Sequence, residues 1–427
     1  VKIAKIVKIM KTAKEVNDRI NEGKAVVYTA EEFKRMLRVG EDITPRDVDV
    51  VTTGTCGVMS GTAAVLSIPV AGRGAFARAK SVLLNGVPAS PGPCPNENLG
   101  IVEAVLYGST PSISGPMEYG GGHLFRELVE GREIDVEVDS GGKIFENTVT
   151  IEDLEFARII TTRTSVKNYT GFLNKGRDAV RTIFSVANGL KGPCKELSVS
   201  GCGELNPLEN DPLGESIGVG TGILVNGAPG YVIGTGTRSS PEKPNLSVFA
   251  DMRGMNPEYM GGFRTSDGVD CITSIAVPII VTEDTLPNLK ILDEDVKLPI
   301  ADIHDRIPFA EGSYADLWQG TDMEVYFDPA RCIGCDDCEV ERYCPTNAFL
   351  RSGGIDRARC FNCGACLNLC PERAFKGNLG SIDVEGNEVP ITLRQSNRAR
   401  ADELSRKLKE IILDGRFTLT DPVGSLR

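Results

Sequence analysis

The sequence reads CIGCDDCEVERYCP over residues 332–345 and CFNCGACLNLCP over residues 360–371. In each run three cysteines at two-residue intervals precede a fourth that is followed by proline, and the triplets repeat at an offset of 28 residues. Both fourth cysteines lead into the same phrase, Pro-x-x-Ala-Phe, at Pro345–Phe349 and Pro371–Phe375, so the segment is an internal duplication. A cube of four irons needs four thiolates arriving from several directions; a C-x2-C-x2-C turn supplies three while its amides point at the sulfides, and the fourth comes from elsewhere in the chain. The spacing predicts two [4Fe-4S] clusters with crossed ligation: Cys332, Cys335, Cys338 and Cys370 on the first, Cys360, Cys363, Cys366 and Cys344 on the second. Eight thiolates would also fill two tetrahedral zinc sites, but the duplicated triplets ending in Cys-Pro follow the iron-sulfur pattern throughout.

The stretch from about Val325 to Lys376 resembles the two-cluster bacterial ferredoxins, which implies a small pseudo-symmetric α+β unit with centres close enough for rapid electron exchange. It departs from them by having five residues, not three, between Cys338 and Cys344. Outward from this segment, 427 residues suffice for one large domain plus a small module. The composition shift near Asp322 divides the chain into 1–321, a large α+β or mixed α/β domain rich in glycine turns, 322–380, the ferredoxin-like α+β module, and 381–427, an extension with an amphipathic helix. The large domain is expected to fold without the clusters. A net charge of −12 argues against a wide nucleic-acid surface and leaves small molecules or proteins as partners. No run approaches the 18 uncharged apolar residues of a membrane span, and cysteines at ligand spacing predict a reducing cytoplasm. The only histidines, His123 and His304, exclude a metal held by three imidazoles.

Capping boxes start helices at Thr12 with Glu15, Thr29 with Glu32 and Thr150 with Asp153. Asp47–Gly54 reads as a strand feeding a glycine turn around Cys56. A proline loop over 85–98 leads to a helix from Asn98 to Tyr107. Glu133–Asp139 alternates as a half-buried strand, the glycine-dense 201–236 reads as short strands over a polar cleft, and Cys271–Thr282 is a buried strand with Pro278 at a bend or edge. From Ser396 a capped helix sets Ala401, Leu404, Leu408 and Ile411 on one face before Gly415 stops it.

Five cysteines lie outside the repeat. Cys56, in a turn among threonines and glycines, is the first candidate nucleophile, its pKa lowered by amide donors; Cys202, between Gly201 and Gly203, is the second. Cys94 and Cys194 read as exposed thiols, Cys271 as inert core. Gly120-Gly121-Gly122-His123 before a helical run suggests a nest of amides for a carboxylate or phosphate, with His123 as base or anion ligand. Arg163 and Arg238 are candidate carboxylate clamps.

The segments Asp47–Ser60, Gly120–Gly131, Gly201–Asp211, Ile217–Thr235 and Phe249–Met255 resemble the archaeal and bacterial homocysteine-biosynthesis domain family over roughly residues 10–320. With the ferredoxin-like module, the chain is similar to the methanogenesis marker 16 metalloproteins of methanogenic archaea. The resemblance implies a sulfur or redox theme related to aspartate-semialdehyde sulfurtransferase, with Gly120, Gly121, Gly122, Asn206 and Asp211 binding substrate. Where the family alignment places one working cysteine this chain has Ser60, and the stretch 161–171, which holds a second, contains none. Two function classes follow. One is a sulfurtransferase or iron-sulfur oxidoreductase acting on a small molecule. The other is an electron-relay or assembly factor for a redox protein or methanogenic metalloenzyme, with a homo-oligomer open to either.

Overall fold

The computed structural model describes residues 11–92 and 95–426; Cys94 lies outside them. Both N-terminal capping boxes form. Thr12 caps Ala13–Asn21 and Thr29 caps Ala30–Arg38, each with reciprocal bonds to the glutamate three residues on. Val16, Ile20 and Phe33 are buried along the helix faces that the spacing assigns them. Thr150 and Asp153 also exchange the capping bonds, but the chain turns there without a helix and enters the strand Phe156–Thr164.

The architecture is mixed α and β, dominated by a 14-stranded sheet, with a second sheet of six strands. Toward one edge of the large sheet, inside the short edge strand Val27–Thr29, Val50–Val58 pairs antiparallel with Gly268–Ile280 from Val50 opposite Ile280 to Val58 opposite Ile272. The apolar run is thus the buried strand its composition predicts. Its other neighbour, Gly222–Val225, reaches only Ile275 and Ala276, so Pro278 sits beyond that edge, where its missing N–H breaks no ladder on that side. The segment Ile101–Tyr107, expected as a helix, is a strand: Val102, Ala104 and Leu106 face the core in alternation, a period-2 pattern that outweighs the helix formers between them. The region 201–236 contributes two strands to this sheet, Gly222–Val225 and Ala228–Thr235, rather than a rim over a cleft.

Cys56 does not lie in a turn. The strand Val50–Val58 runs straight through Gly54 and Gly57, and the chain reverses only at Met59–Gly61. The glycines serve close packing: a Cβ on Gly54 would stand 2.5 Å from the carbonyl oxygen of Ala401, in the helix Arg398–Leu413. Gly54→Ala is therefore expected to lower stability by about 1–3 kcal/mol through overpacking, measurable by chemical denaturation.

That helix belongs to the large domain as fully as any central strand. Its Leu404, Leu408 and Ile412 are buried with Val16, Ile20, Val27, Leu224 and Ala276. Just before it, Asn387–Arg394 pairs in parallel with Leu197–Val199 inside the six-stranded sheet. The backbone of Gln395 and Asn397 then bonds Val58 and Cys56. Residues 381–413 are thus not an appendage, and the expectation that the chain up to 321 folds alone meets a core whose last strand and covering helix come after the cysteine module.

Arg398 completes the joint. Its guanidinium is buried against Asp293 and Glu204, and Arg38 reaches the same Glu204 at 2.6 Å. Against burial, which raises it, those two guanidiniums hold the Glu204 carboxyl below the usual range. Lys34, fully buried beside them, donates to Asn210 and to the carbonyl of Leu289, and burial pushes it down to about 7.

Candidate functional site

The cysteine module is built from two matching halves. Two short helices, Glu339–Tyr343 after Cys338 and Ala365–Leu369 around Cys366, accompany the triplets, and two small strand pairings, Tyr326–Phe327 with Phe375–Lys376 and Phe349–Leu350 with Gly354–Ile355, close the ends. Phe327, Phe349 and Phe375 pack edge-on or tilted at 4.9–5.1 Å to form its centre. The repeated phrase explains itself here: the amides of Ala348 and Ala374 donate to the sulfurs of Cys344 and Cys370 at 3.3 and 3.4 Å. Each fourth cysteine thus receives an equivalent N–H bond, the kind that tunes a metal-bound thiolate.

The grouping is crossed. Cys332, Cys335, Cys338 and Cys370 line one cavity of about 260 Å³ with Phe327, Val340 and Phe375. Cys344 is instead an electrostatic neighbour of Cys360, Cys363 and Cys366. Burial, and then the other thiols of the quartet, push Cys363 and Cys366 well up. Such thiols give up their protons to a metal far more readily than to solvent, so the residues fit a metal cluster. Among the described residues no three metal-ligating side chains are grouped as around one bare ion; a four-iron cube is wider than an ion, and its thiolates stand at separate corners.

The two quartets differ in setting. Residues around the first are exposed, Ile333 by 68%. The second is pressed against the large sheet: Phe361 and Cys363 are buried, and Phe361 meets Phe263 edge-on at 5.6 Å. Phe263 lies on the strand Gly261–Thr265, directly opposite Asp270 across the ladder.

Asp270 leads to a site that reading the residues as a list of thiols misses. Its Oδ2 accepts the Ser60 hydroxyl at 2.6 Å, in the turn that follows the Cys56 strand. Ser60 is exposed whereas Asp270 is buried, and burial pushes the Asp270 carboxyl up to about 6 despite the bonds from Ser60 and its neighbour's amide. Beside this turn Gly61 packs on Arg163 and Tyr169 donates to the Met59 sulfur. Arg163, Arg238 and Lys243 gather here, Lys243 donating to Thr170 at 2.9 Å. Burial and the mutual repulsion of these cations lower Arg163 and Lys243. Arg163 Nε is buried without a partner, and among the described residues no carboxylate pairs with any of the three. A cluster of uncompensated cations is suited to a carboxylate. Arg163 and Arg238 are the candidate clamps of the sequence reading; Ser60, Asp270 and Lys243 are further candidates, signalled only by the position of Ser60 after Gly57-Val58-Met59.

The other expected residues are placed inside the protein. Cys56 and Cys202 are neighbours, the Cys202 thiol donating to the Cys56 carbonyl at 3.8 Å, and both are fully buried. Burial pushes Cys56 up to about 12 and raises Cys202, opposite to the lowered pKa expected of a nucleophile in a turn. Cys271 is core, pushed up to about 12 by burial, and Cys194 is half-buried and also raised. The glycine triplet forms no anion nest: the amides of Gly121 and Gly122 donate to Thr110 and Gly108, and a Cβ on Gly122 would stand 2.9 Å from the carbonyls of Gly261 and Asp270. These glycines let the helix Gly121–Val129 touch the sheet. His123 is half-buried on that helix, its two ring nitrogens buried and unpartnered and its ring stacked on Tyr119 at 5.5 Å. Burial, with Arg264 and Arg359, pushes it down to about 4, so it is neutral at pH 7. Asn206 is held by Ser165, Leu208 and Val166, and Asp211 by three backbone amides, so these two side chains brace their loop rather than face a ligand.

No solved structure matches the chain. An uncharacterized protein of Methanothermobacter thermautotrophicus is 49% identical over 95% of this chain and 94% of its own length. L-aspartate semialdehyde sulfurtransferase of Methanocaldococcus jannaschii is 28% identical over 98% of this chain and 74% of its own length. A pyruvate synthase subunit of Thermotoga maritima is 30% identical over 19% of this chain and 81% of that subunit. The family described as homocysteine biosynthesis enzyme, sulfur-incorporation, matches residues 25–419, a span that includes the large sheet, both cysteine runs and the closing helix. The chain belongs to that family.

Proposed function

We propose that the protein is an iron-sulfur enzyme of sulfur transfer, of the marker 16 type, with two [4Fe-4S] clusters held by the crossed quartets and a carboxylate-bearing aldehyde bound at Ser60, Asp270, Arg163, Arg238 and Lys243. The observation that carries the reading is the cluster of Arg163, Arg238 and Lys243, which lacks a carboxylate among the described residues, on the stretch that packs beside the turn holding the Ser60–Asp270 bond. The sulfurtransferase relative's substrate, aspartate semialdehyde, supplies a carboxylate for those cations and an aldehyde for reaction. Converting an aldehyde and hydrogen sulfide to a primary thiol and water consumes two electrons and two protons, and two clusters, when bound, supply one electron each. Among the described residues no thiol lines this site, so the sulfur arrives from outside as sulfide.

Asp270 handles one of the protons. Ionised, it accepts the Ser60 hydroxyl; protonated, it donates to Ser60, which then directs its own proton outward to the departing oxygen. The acid form is lost as pH rises through about 6, so homocysteine formation from L-aspartate semialdehyde, sulfide and dithionite is expected to fall above that pH. Asp270→Asn should remove this limb and lower the rate by about 10²–10⁴-fold. The stability sign is opposite to that of a salt-bridged acid: a pKa raised on folding contributes stability at low pH that disappears as pH rises through about 6. Asp270→Asn should therefore gain on the parent at pH 8. A pH-independent rate, or an unchanged rate in Asp270→Asn, removes the assignment.

The burial of Cys56, Cys202 and Cys271 favours a second reading, an electron relay or assembly factor for another methanogen enzyme. Protein that is reversibly reduced but forms no thiol product from the aldehyde would support it.

A further inference from the structure

Arg400 lies at the start of the helix Arg398–Leu413 and is only 7% exposed. Its guanidinium donates to the carbonyls of Arg357 and Ala358, and among the described residues it pairs with no carboxylate. Its neighbour Arg398 shows what this chain ordinarily does with a buried guanidinium: it gives it two carboxylates. A buried cation without a counter-charge is costly, and the thiols closest to Arg400 in charge are Cys360 of the second quartet and Cys56. Arg264 repeats the arrangement from the opposite side. It donates to Asn347 and to the carbonyl of Arg342, its own amide bonds the carbonyl of Pro345, and its Nε is buried without a partner. It also feels the charge of Cys344. Both cations thus grip the backbone that carries ligands of the second quartet.

The first quartet has no such setting. Asp336, Asp337, Glu339 and Glu372 stand exposed around it; of the cations near it, Arg342 and Arg351 are paired with Asp337 and Glu341, and Arg331 and Arg373 are exposed to solvent. The amide bonds from Ala348 and Ala374 to the fourth sulfurs are equivalent and cancel in the comparison. Fixed charge is what breaks the module's symmetry.

We infer that Arg400 and Arg264 make the second quartet the electron sink of the pair, so that electrons enter at the exposed first quartet and leave from the second, along Phe361 and Phe263, toward Asp270 and Ser60. This rests on the reading of both quartets as four-iron centres. A cube with four thiolates carries a net negative charge that increases by one on reduction, so a nearby cation favours its reduced form. Burial opposes reduction, but the same low dielectric that makes burial costly strengthens the pull of the buried Arg400 guanidinium, with Arg264, which also feels Glu118, adding to it. The transfer is one electron, lost by the first centre and gained by the second, with no bond made or broken.

The test is a redox titration of the anaerobic full-length holoprotein followed by electron paramagnetic resonance, with a Cys335→Ala protein assigning the second centre's signal. The second centre is expected to reduce first. Arg400→Gln should lower its midpoint and leave the first centre's in place, Arg264→Gln should act in the same direction, and Arg400→Lys should keep the parent value. If Arg400→Gln loses iron, the more exposed Arg264→Gln decides. Unmoved midpoints at full iron content, equal shifts of both centres, or earlier reduction of the first centre would overturn the inference. Parent protein without iron and acid-labile sulfide overturns the cluster reading itself, a separate result.

Discussion

A chain that ends after Thr321 is expected to be expanded and to unfold without a cooperative transition. The cut removes the strand Asn387–Arg394, which bonds Leu197–Val199, and the helix Arg398–Leu413, which covers Gly54 and buries Leu404, Leu408 and Ile412. Each of those three side chains contributes roughly 1.5–3 kcal/mol of burial, and the exposed strand edge and sheet face would promote association. It also strips Arg398 from Glu204 and Asp293, leaving two buried carboxylates with Arg38 on Glu204 and the buried Lys34 nearby. In the intact chain Arg398→Ala isolates that last effect and should lower stability by about 3–5 kcal/mol, the usual result of breaking a buried pair from one side. Small-angle scattering on the truncated chain and denaturant titration of the variant read the two outcomes. A truncated chain with a sharp transition and native compactness would show that residues up to 321 make a sufficient core.

Cys370→Ala is expected to halve the iron, from about eight to about four per chain, by emptying the site of the other triplet. Cys370 stands with Cys332, Cys335 and Cys338 around one cavity, although it follows Cys366 by four residues. Anaerobic alkylation should then label Cys332, Cys335 and Cys338 and spare Cys360, Cys363 and Cys366. Cys344→Ala should give the opposite labelling. Labelling of the triplet adjacent in sequence would mean that ligation is not crossed.

Legibility in the sequence depends on range. The cysteine runs carry their reading in local spacing, and the fold sets Cys370 beside the first triplet and Cys344 beside the second. The helices capped by Thr12 and Thr29 are equally local, since a hydroxyl and a glutamate three residues apart suffice to start each of them. Ile101–Tyr107 misleads because so short a run can support either period, and only the neighbouring strand Thr62–Pro69 selects the extended form. Cys56 misleads for a longer-range reason. Glycines flanking a thiol read as a turn, but Gly54 is small because a helix from the far end of the chain lies across it. Asp270 cannot be recognised as Ser60's partner because 210 residues separate them. Nor can the sequence show that the three cations lack counter-charges, which is a property of packing.

The position of the closing helix also governs the order in which the protein can be made. A chain emerging from its N-terminus exposes the strand Val50–Val58 early, but the surface that covers Gly54 and the second guanidinium on Glu204 are synthesised only after both cysteine runs. Nascent domains generally fold as they appear; here the core waits for its last strand and covering helix until the cysteine module has left the ribosome, and a chain that never made that module would lack both.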